Sequence, residues 1–350
     1  MSATKTKPKR INLALQGGGA HGAFTWGVLD RILEDDRIEI AAMSGTSAGA
    51  LNGAAVKSGL VQGGATQARE NLDWLWGQVG AINDMRLASW MTTTGPGPGV
   101  VAKSLEYSLP FSVIDGATRM LSPYTYGPFY QNPLRRIVER FEYDAVCADG
   151  GPQFHVCATN VRSGKIRVFT RDEISTDVIL ASACLPTLFQ AVEFTDPKTG
   201  KMEAFWDGGY TGNPALFPLY HEDLPRDIVV VNINPLHREE LPLTAQAIQN
   251  RINEISFNSS LLREMRAISF VKRLIAQGRM DRDQMRDPLV HMIADDGLMN
   301  ELSVATKLVP SAYILATLKD AGRAAATAFL NAHFDDLGAV DTVDLEEMFG

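Results

Sequence analysis

Residues 38–58, IEIAAMSGTSAGALNGAAVKS, set the strongest constraint on what this chain can fold into. Ile38, Ile40 and the small residues after them read as a short buried strand. The Ala-rich run from Ser47, with Leu51 and Val56, reads as a closely packed helix. Between them lies Gly45-Thr46-Ser47-Ala48-Gly49, the pattern G-x-S-x-G. A strand that turns at once into a helix strains its central residue and thrusts that side chain into the open. Gly45 and Gly49 flank it because a Cβ at either position would meet neighbouring backbone. Ser47 Oγ then stands at the positive end of a helix, beside N–H groups with no partner inside it. A nucleophile that attacks an ester needs that setting. A Gly/Ser/Ala-rich turn also matches so short a pattern by chance, so the rest of the chain has to decide.

A second glycine-rich turn precedes it. Ile11 to Gln16 reads as the first strand and runs into Gly17-Gly18-Gly19-Ala20-His21-Gly22, followed by a helix from Ala23 to Leu33. Gly17, Gly19 and Gly22 satisfy G-x-G-x-x-G, but a dinucleotide site needs an acidic residue closing the second strand to hold the ribose. That strand ends in Ser44-Gly45-Thr46-Ser47 instead, so no cofactor is expected. Beside a nucleophile, the loop has another use. Its free amides can hold an oxyanion together with the amide of Ala48.

Farther on, Phe154–Thr159 and Ile166–Thr170 read as paired strands, Asp172–Ala183 as a helix stopped by Pro186, and Ile228–Ile233 as a buried strand. Strands alternating with helices up to about Asn234 predict an α/β fold with a largely parallel sheet. Beyond Pro235 the periodicity turns helical, over Ala245–Gln277 and again from Ser311. The frequent Arg and Lys residues there read either as a membrane-facing surface or, the commoner case, as a solvated helix face. The chain ends in what reads as an acidic, loosely held tail. Trp90 to Tyr130 combines chain breakers with dense aromatics, the composition of a mobile cover or an acyl-chain pocket, or simply of a sheet edge.

Composition excludes several classes. With 45% hydrophobic residues, 350 residues can build a large core, and a net charge of −8 argues against nucleic-acid binding. No apolar run approaches the length of a membrane span or a signal-peptide core, so a cytoplasmic protein is expected. Cys147, Cys157 and Cys184 have no metal-ligand spacing, and neither a disulfide framework nor a metal site is indicated. Nothing in the sequence speaks to oligomeric state.

A serine nucleophile needs a base. His155, His221 and His237 lie near strand ends, so a Ser-His-Asp arrangement is arithmetically open. Asp207 shares with Ser47 a glycine-marked turn, Phe205-Trp206-Asp207-Gly208-Gly209, though an aspartate among glycines is more often a turn former.

Taken together, Gly17–Gly22, Gly45–Gly49 and Asp207–Gly209, in that order, resemble the patatin-like phospholipases, as does the stretch Ala181–Phe189. The resemblance covers about residues 9–235. It implies a three-layer α/β/α catalytic domain there, with a helical region, 236–350, packed on it. It implies a Ser-Asp dyad without a catalytic histidine: Ser47 as nucleophile, Asp207 as base, and oxyanion amides from Gly17, Gly18 and Gly19 beside Ala48. The expected activity is that of a lipid acyl hydrolase of the phospholipase A or lysophospholipase type, meeting its substrate at a membrane surface. An acyltransferase, a thioesterase, a general carboxylesterase and a catalytically silent lipid-binding module share these motifs. One departure stands out. Family members usually carry Arg or Lys where this chain has His21, and a histidine is largely neutral near pH 7.

Overall fold

The computed structural model describes residues 7–82, 122–281, 285–302 and 304–349. Most of the aromatic stretch singled out above lies outside them. The eight strands are β1 (Lys9–Leu15), β2 (Ile38–Gly45), β3 (Gln153–Asn160), β4 (Ile166–Thr170), β5 (Val192–Thr195), β6 (Met202–Asp207), β7 (Asp227–Val231) and β8 (Leu289–Ile293). They form one sheet in the order β5-β6-β3-β2-β1-β7-β8, with β4 beside β3. The five strands from β3 to β8 along that order run parallel, and the antiparallel pairings are confined to the β4, β5 and β6 end.

Successive side chains of a strand point to opposite faces, and here both faces are buried. Leu13 and Leu15 of β1 and Val229 and Val231 of β7 pack toward α1 (Gly22–Leu33), α2 (Ala48–Ile82), α3 (Thr176–Ser182) and α5 (Ala312–His333). Ala14, Ile228 and Val230 face the other way, against Leu261, Met265 and Ile268 of α4 (Ala245–Ala276). The result is a three-layer α/β/α fold. Within α2 the helix breaks at Gly64, whose φ of 72° only glycine adopts freely.

One feature of the sheet positions the site. β4 covers one edge of β3 from His155 to Thr159. The opposite edge is shared by β2, along Gln153–Val156, and β6, along Ala158–Asn160. β2 runs parallel to β3 and β6 antiparallel, so their C-terminal ends meet head to head. Gly45 lies opposite Val156 and Asp207 opposite Ala158, two positions apart, or about 7 Å along the strand.

The region after Pro235 is helical but also completes the sheet, because β8 pairs in parallel with β7. α5 crosses α1 closely: a Cβ at Gly27 would land on the carbonyl of Lys319, and one at Gly322 on that of Phe24. The acidic end is not loose. Asp341 accepts from the Val290 amide at 2.8 Å and pairs with Lys272 at 2.9 Å, and Leu345 is buried. Local composition showed the charge of this segment but not the partners that hold it.

Candidate active site

Ser47 stands two residues past the last residue of β2, after Thr46, and has φ 54°, one of two non-glycine residues with a positive φ among those described. This is the strained elbow that the sequence calls for. A Cβ at Gly45 would lie 2.6 Å from the Gly49 carbonyl oxygen, and one at Gly49 would strike the Leu15 carbonyl, so neither position has room for a side chain. Two hydroxyls fix the turn. Ser182, at the end of α3, accepts from the Ser47 amide at 2.9 Å, and Thr46 Oγ1 donates to the Gly212 carbonyl at 2.6 Å. The second bond ties the elbow to the turn that follows Asp207.

Asp207 is 1% exposed. Its amide donates to the Cys184 carbonyl at 2.8 Å, and its carbonyl accepts from Thr159 Oγ1 at 2.8 Å, so the backbone is held from both sides. Oδ1 accepts from the Gly209 amide at 2.7 Å. Oδ2 is buried and makes no hydrogen bond of regular geometry. Burial pushes the carboxyl up to about 7, against the opposing pull of the Gly209 amide and the Ser47 side chain. A Cβ at Gly208 would strike the Cys157 carbonyl, which explains the glycine after the acid.

The loop after β1 completes the arrangement. A Cβ at Gly17 would lie 2.7 Å from that of Ser47. The amides that the sequence groups together are not equivalent. That of Gly17 donates to Asn213 Oδ1 at 2.7 Å, so Gly17 anchors the loop rather than offering a free donor. No hydrogen bond among the described residues takes up the amides of Gly18, Gly19 or Ala48. Behind the loop lies a buried polar cluster. Gln16 Oε1 accepts from the amides of Ile233 and Asn234 at 2.8 and 3.1 Å, and Asn234 Nδ2 donates to the Gly17 carbonyl at 2.8 Å. Asn258 Nδ2 donates to the Pro235 carbonyl at 3.2 Å.

Ser47, Asp207, Gly18 and Gly19 line one cavity of about 480 Å³, walled on its apolar side by residues such as Leu185, Leu188, Tyr210 and Phe257. Its polar side includes Asn234, Asn253, Glu254 and Lys307. None of the histidines lines it. His155 extends β3 opposite Ser44, and His291 is paired with Asp227 at 3.0 Å inside the sheet. His21 is 1% exposed and shares a hydrogen bond of 2.8 Å with Thr306 Oγ1. Burial, and next the charges of Lys307 and Arg238, hold its pKa well below the usual histidine value, so the ring is neutral. A larger open groove beside Phe217, Arg263 and Glu264 contains neither Ser47 nor Asp207.

Sequence reasoning missed Ser182, Asn213, Asn234 and Lys307. Ser182 lies in the Ala181–Phe189 stretch and carried that one signal. The other three are isolated polar residues in turns or short helices, and only the fold brings them to the loop.

A sequence model described as patatin-like phospholipase matches residues 13–220, more than half of the chain. This chain belongs to the patatin-like phospholipase family. It is a lipid acyl hydrolase, acting on carboxylic ester bonds. No curated protein sequence matches it significantly. Among solved structures, this patatin-like phospholipase is similar to VipD from Legionella pneumophila, with 14% identity and a TM-score of 0.41, over 94% of this chain and 67% of that one. It is also similar to ExoU in the ExoU–SpcU complex of Pseudomonas aeruginosa, with 13% identity and a TM-score of 0.36, over 94% of this chain and 53% of that one. No described helix of this patatin-like phospholipase is long and apolar enough to cross a membrane.

Proposed function

We propose that the chain is a phospholipase A or lysophospholipase that works through a Ser47–Asp207 dyad. The observation that carries this reading is the head-to-head meeting of β2 and β6, which brings an elbow serine to a buried carboxyl held near pH 7. A carboxylate in water is a poor base, with an ordinary pKa of about 3.9. One whose proton affinity is raised to about 7 can take the serine proton at neutral pH. Oδ2, buried and without a regular hydrogen bond, is the oxygen left to take that proton, and catalytic hydrogen bonds commonly tighten only with substrate in place.

The acyl chain lies along Leu185, Leu188, Tyr210 and Phe257. Ser47 Oγ attacks the ester carbonyl while its proton passes to Asp207 Oδ2. The carbonyl oxygen takes the electron pair and is held by the amides of Gly18, Gly19 and Ala48. Collapse breaks the bond to the alcohol, which leaves with the proton from Asp207. Asp207 then takes a proton from the water that attacks the acyl-serine, and returns it to Ser47 Oγ as that bond breaks and the fatty acid leaves. The enzyme meets its lipid from the side, as a peripheral protein on a membrane surface.

The test is hydrolysis of a mixed phospholipid extract, with products read by mass spectrometry, by wild type, Ser47→Ala, Asp207→Asn and the double variant. Both residues act on one proton, so the three variants should share one low residual rate. A His155, His221 or His237 variant that loses as much as Ser47→Ala, while Asp207→Asn stays active, would replace the dyad with a triad. Transfer of the acyl group to an added alcohol in preference to water would make the protein an acyltransferase.

A further inference from the structure

We propose that Lys307 is a positioning residue of the oxyanion loop, polarising it through Asn234. Lys307 Nζ donates to Asn234 Oδ1 at 3.0 Å. The amide group of the same side chain, through Nδ2, donates to the Gly17 carbonyl at 2.8 Å. The Gly17 carbonyl and the Gly18 N–H belong to one peptide unit, whose resonance couples them. A donor at the carbonyl draws electron density from the nitrogen and makes its N–H more acidic, an effect that grows along a chain of hydrogen bonds. The Gly18 amide has no partner among the described residues and lines the cavity with Ser47. A positive charge two hydrogen bonds away therefore bears on one of the amides that face the reacting carbonyl.

The position of Lys307 is fixed from several sides. Its own carbonyl oxygen closes on Gly19, where a Cβ would lie 2.5 Å from it. The neighbouring Thr306 is buried and bonded to His21. His21 thus holds the short helix Val304–Leu308 against the loop, while the charge comes from the next residue of that helix. The lysine side chain is 14% exposed, and Glu254 Oε1 stands 3.9 Å from Nζ. Burial lowers the lysine pKa and the Glu254 charge opposes that fall. Glu254 is itself bound by Arg238 at 2.7 Å and Arg251 at 3.2 Å, which leaves Lys307 as the cation directed at Asn234.

This inference rests on the serine-hydrolase reading, and its test separates the two. Steady-state hydrolysis of p-nitrophenyl butyrate, an ester without phosphate, is measured for wild type, Lys307→Gln, Lys307→Arg, Asn234→Ala and the double variant Lys307→Gln/Asn234→Ala. Lys307→Met replaces Lys307→Gln if the latter does not keep the wild-type melting temperature. Fluorophosphonate labelling of Ser47 is followed in parallel. Loss of the charge should lower kcat about 10-fold with KM held within about twofold, because the effect is on a transition-state donor. Lys307→Arg should recover most of the rate. Two residues acting along one path should not give additive losses, so the double variant should match the worse single one. Unchanged kcat in Lys307→Gln, or losses that multiply in the double variant, overturns the inference. So does a loss confined to KM for phosphate-bearing esters, which would make Lys307 a reader of the head group. A wild type that neither cleaves the ester nor takes the label overturns the hydrolase reading and this inference with it.

Discussion

As the base of the proposed dyad, Asp207 carries two opposed requirements, since it has to be buried to gain proton affinity and ionised to act. With its carboxyl pushed up to about 7, kcat/KM should rise with pH and level off above that value. A pH–rate profile checks this, and a rise complete by pH 5 would contradict it. The same shift acts on stability. In the unfolded chain the carboxyl ionises near its ordinary value of about 4, whereas the folded protein keeps the proton to about 7. Between those values the native state binds more protons, so stability falls as pH rises through that window. Asp207→Asn should therefore be more stable than wild type at pH 8, by about 1–4 kcal/mol, and little different at pH 4. Urea melts at the two pH values measure this directly. The serine and the glycines around it left a local signature in the sequence because tight turns do, whereas Asp207 alone read as a turn former and took its expected role from the family resemblance. The polarity behind them left no such signature. Gln16 looks like an ordinary strand end, and Asn213 and Asn234 like ordinary turn residues, until β1, β7 and the segment after β6 are brought side by side.

At the scale of elements, the α1–α5 crossing is closed by two glycines with no room to spare. Gly27→Val should set side-chain atoms against the Lys319 backbone and cost about 1–3 kcal/mol, or more where α5 cannot shift. Thermal denaturation reads this, and an unchanged melting temperature would mean that the helices separate freely. Asp30 strengthens the same junction, where it binds Arg69 of α2 at 2.7 Å and also Arg323 of α5. Neither glycine announced this role in the sequence, since a glycine inside a helical pattern reads as a weak point until the partner helix is known. Strands β1, β2, β3, β4 and β7 were readable from apolar runs bounded by turns, and β6 from the short run Glu203–Trp206 that feeds the turn at Asp207. β5 and β8 were not: β5 is four residues of an edge hairpin, and Leu289–Ile293 follows a long helical stretch that hides so short a run. The acidic end was misread as loose because Asp341 meets Lys272 and Val290 only in three dimensions.

For the whole molecule, the shared edge of β3 has a consequence for how activity appears during folding. The serine arrives on a strand formed early in the sequence and the acid on one that returns much later, and both need β3 as a common template. Contacts of such sequence separation form late, because loop closure comes before any gain from pairing. On the proposed dyad, a chain that ends before β6 would hold an elbow with nothing to take its proton, whatever helix it had already formed. Recovery of ester hydrolysis on dilution from denaturant should therefore lag behind recovery of the helical circular dichroism signal, and equal rates would show that β6 docks with the first structure formed. The enzyme is in this sense born silent: no chain that stops short of its sixth strand carries the acid that the proposed dyad requires.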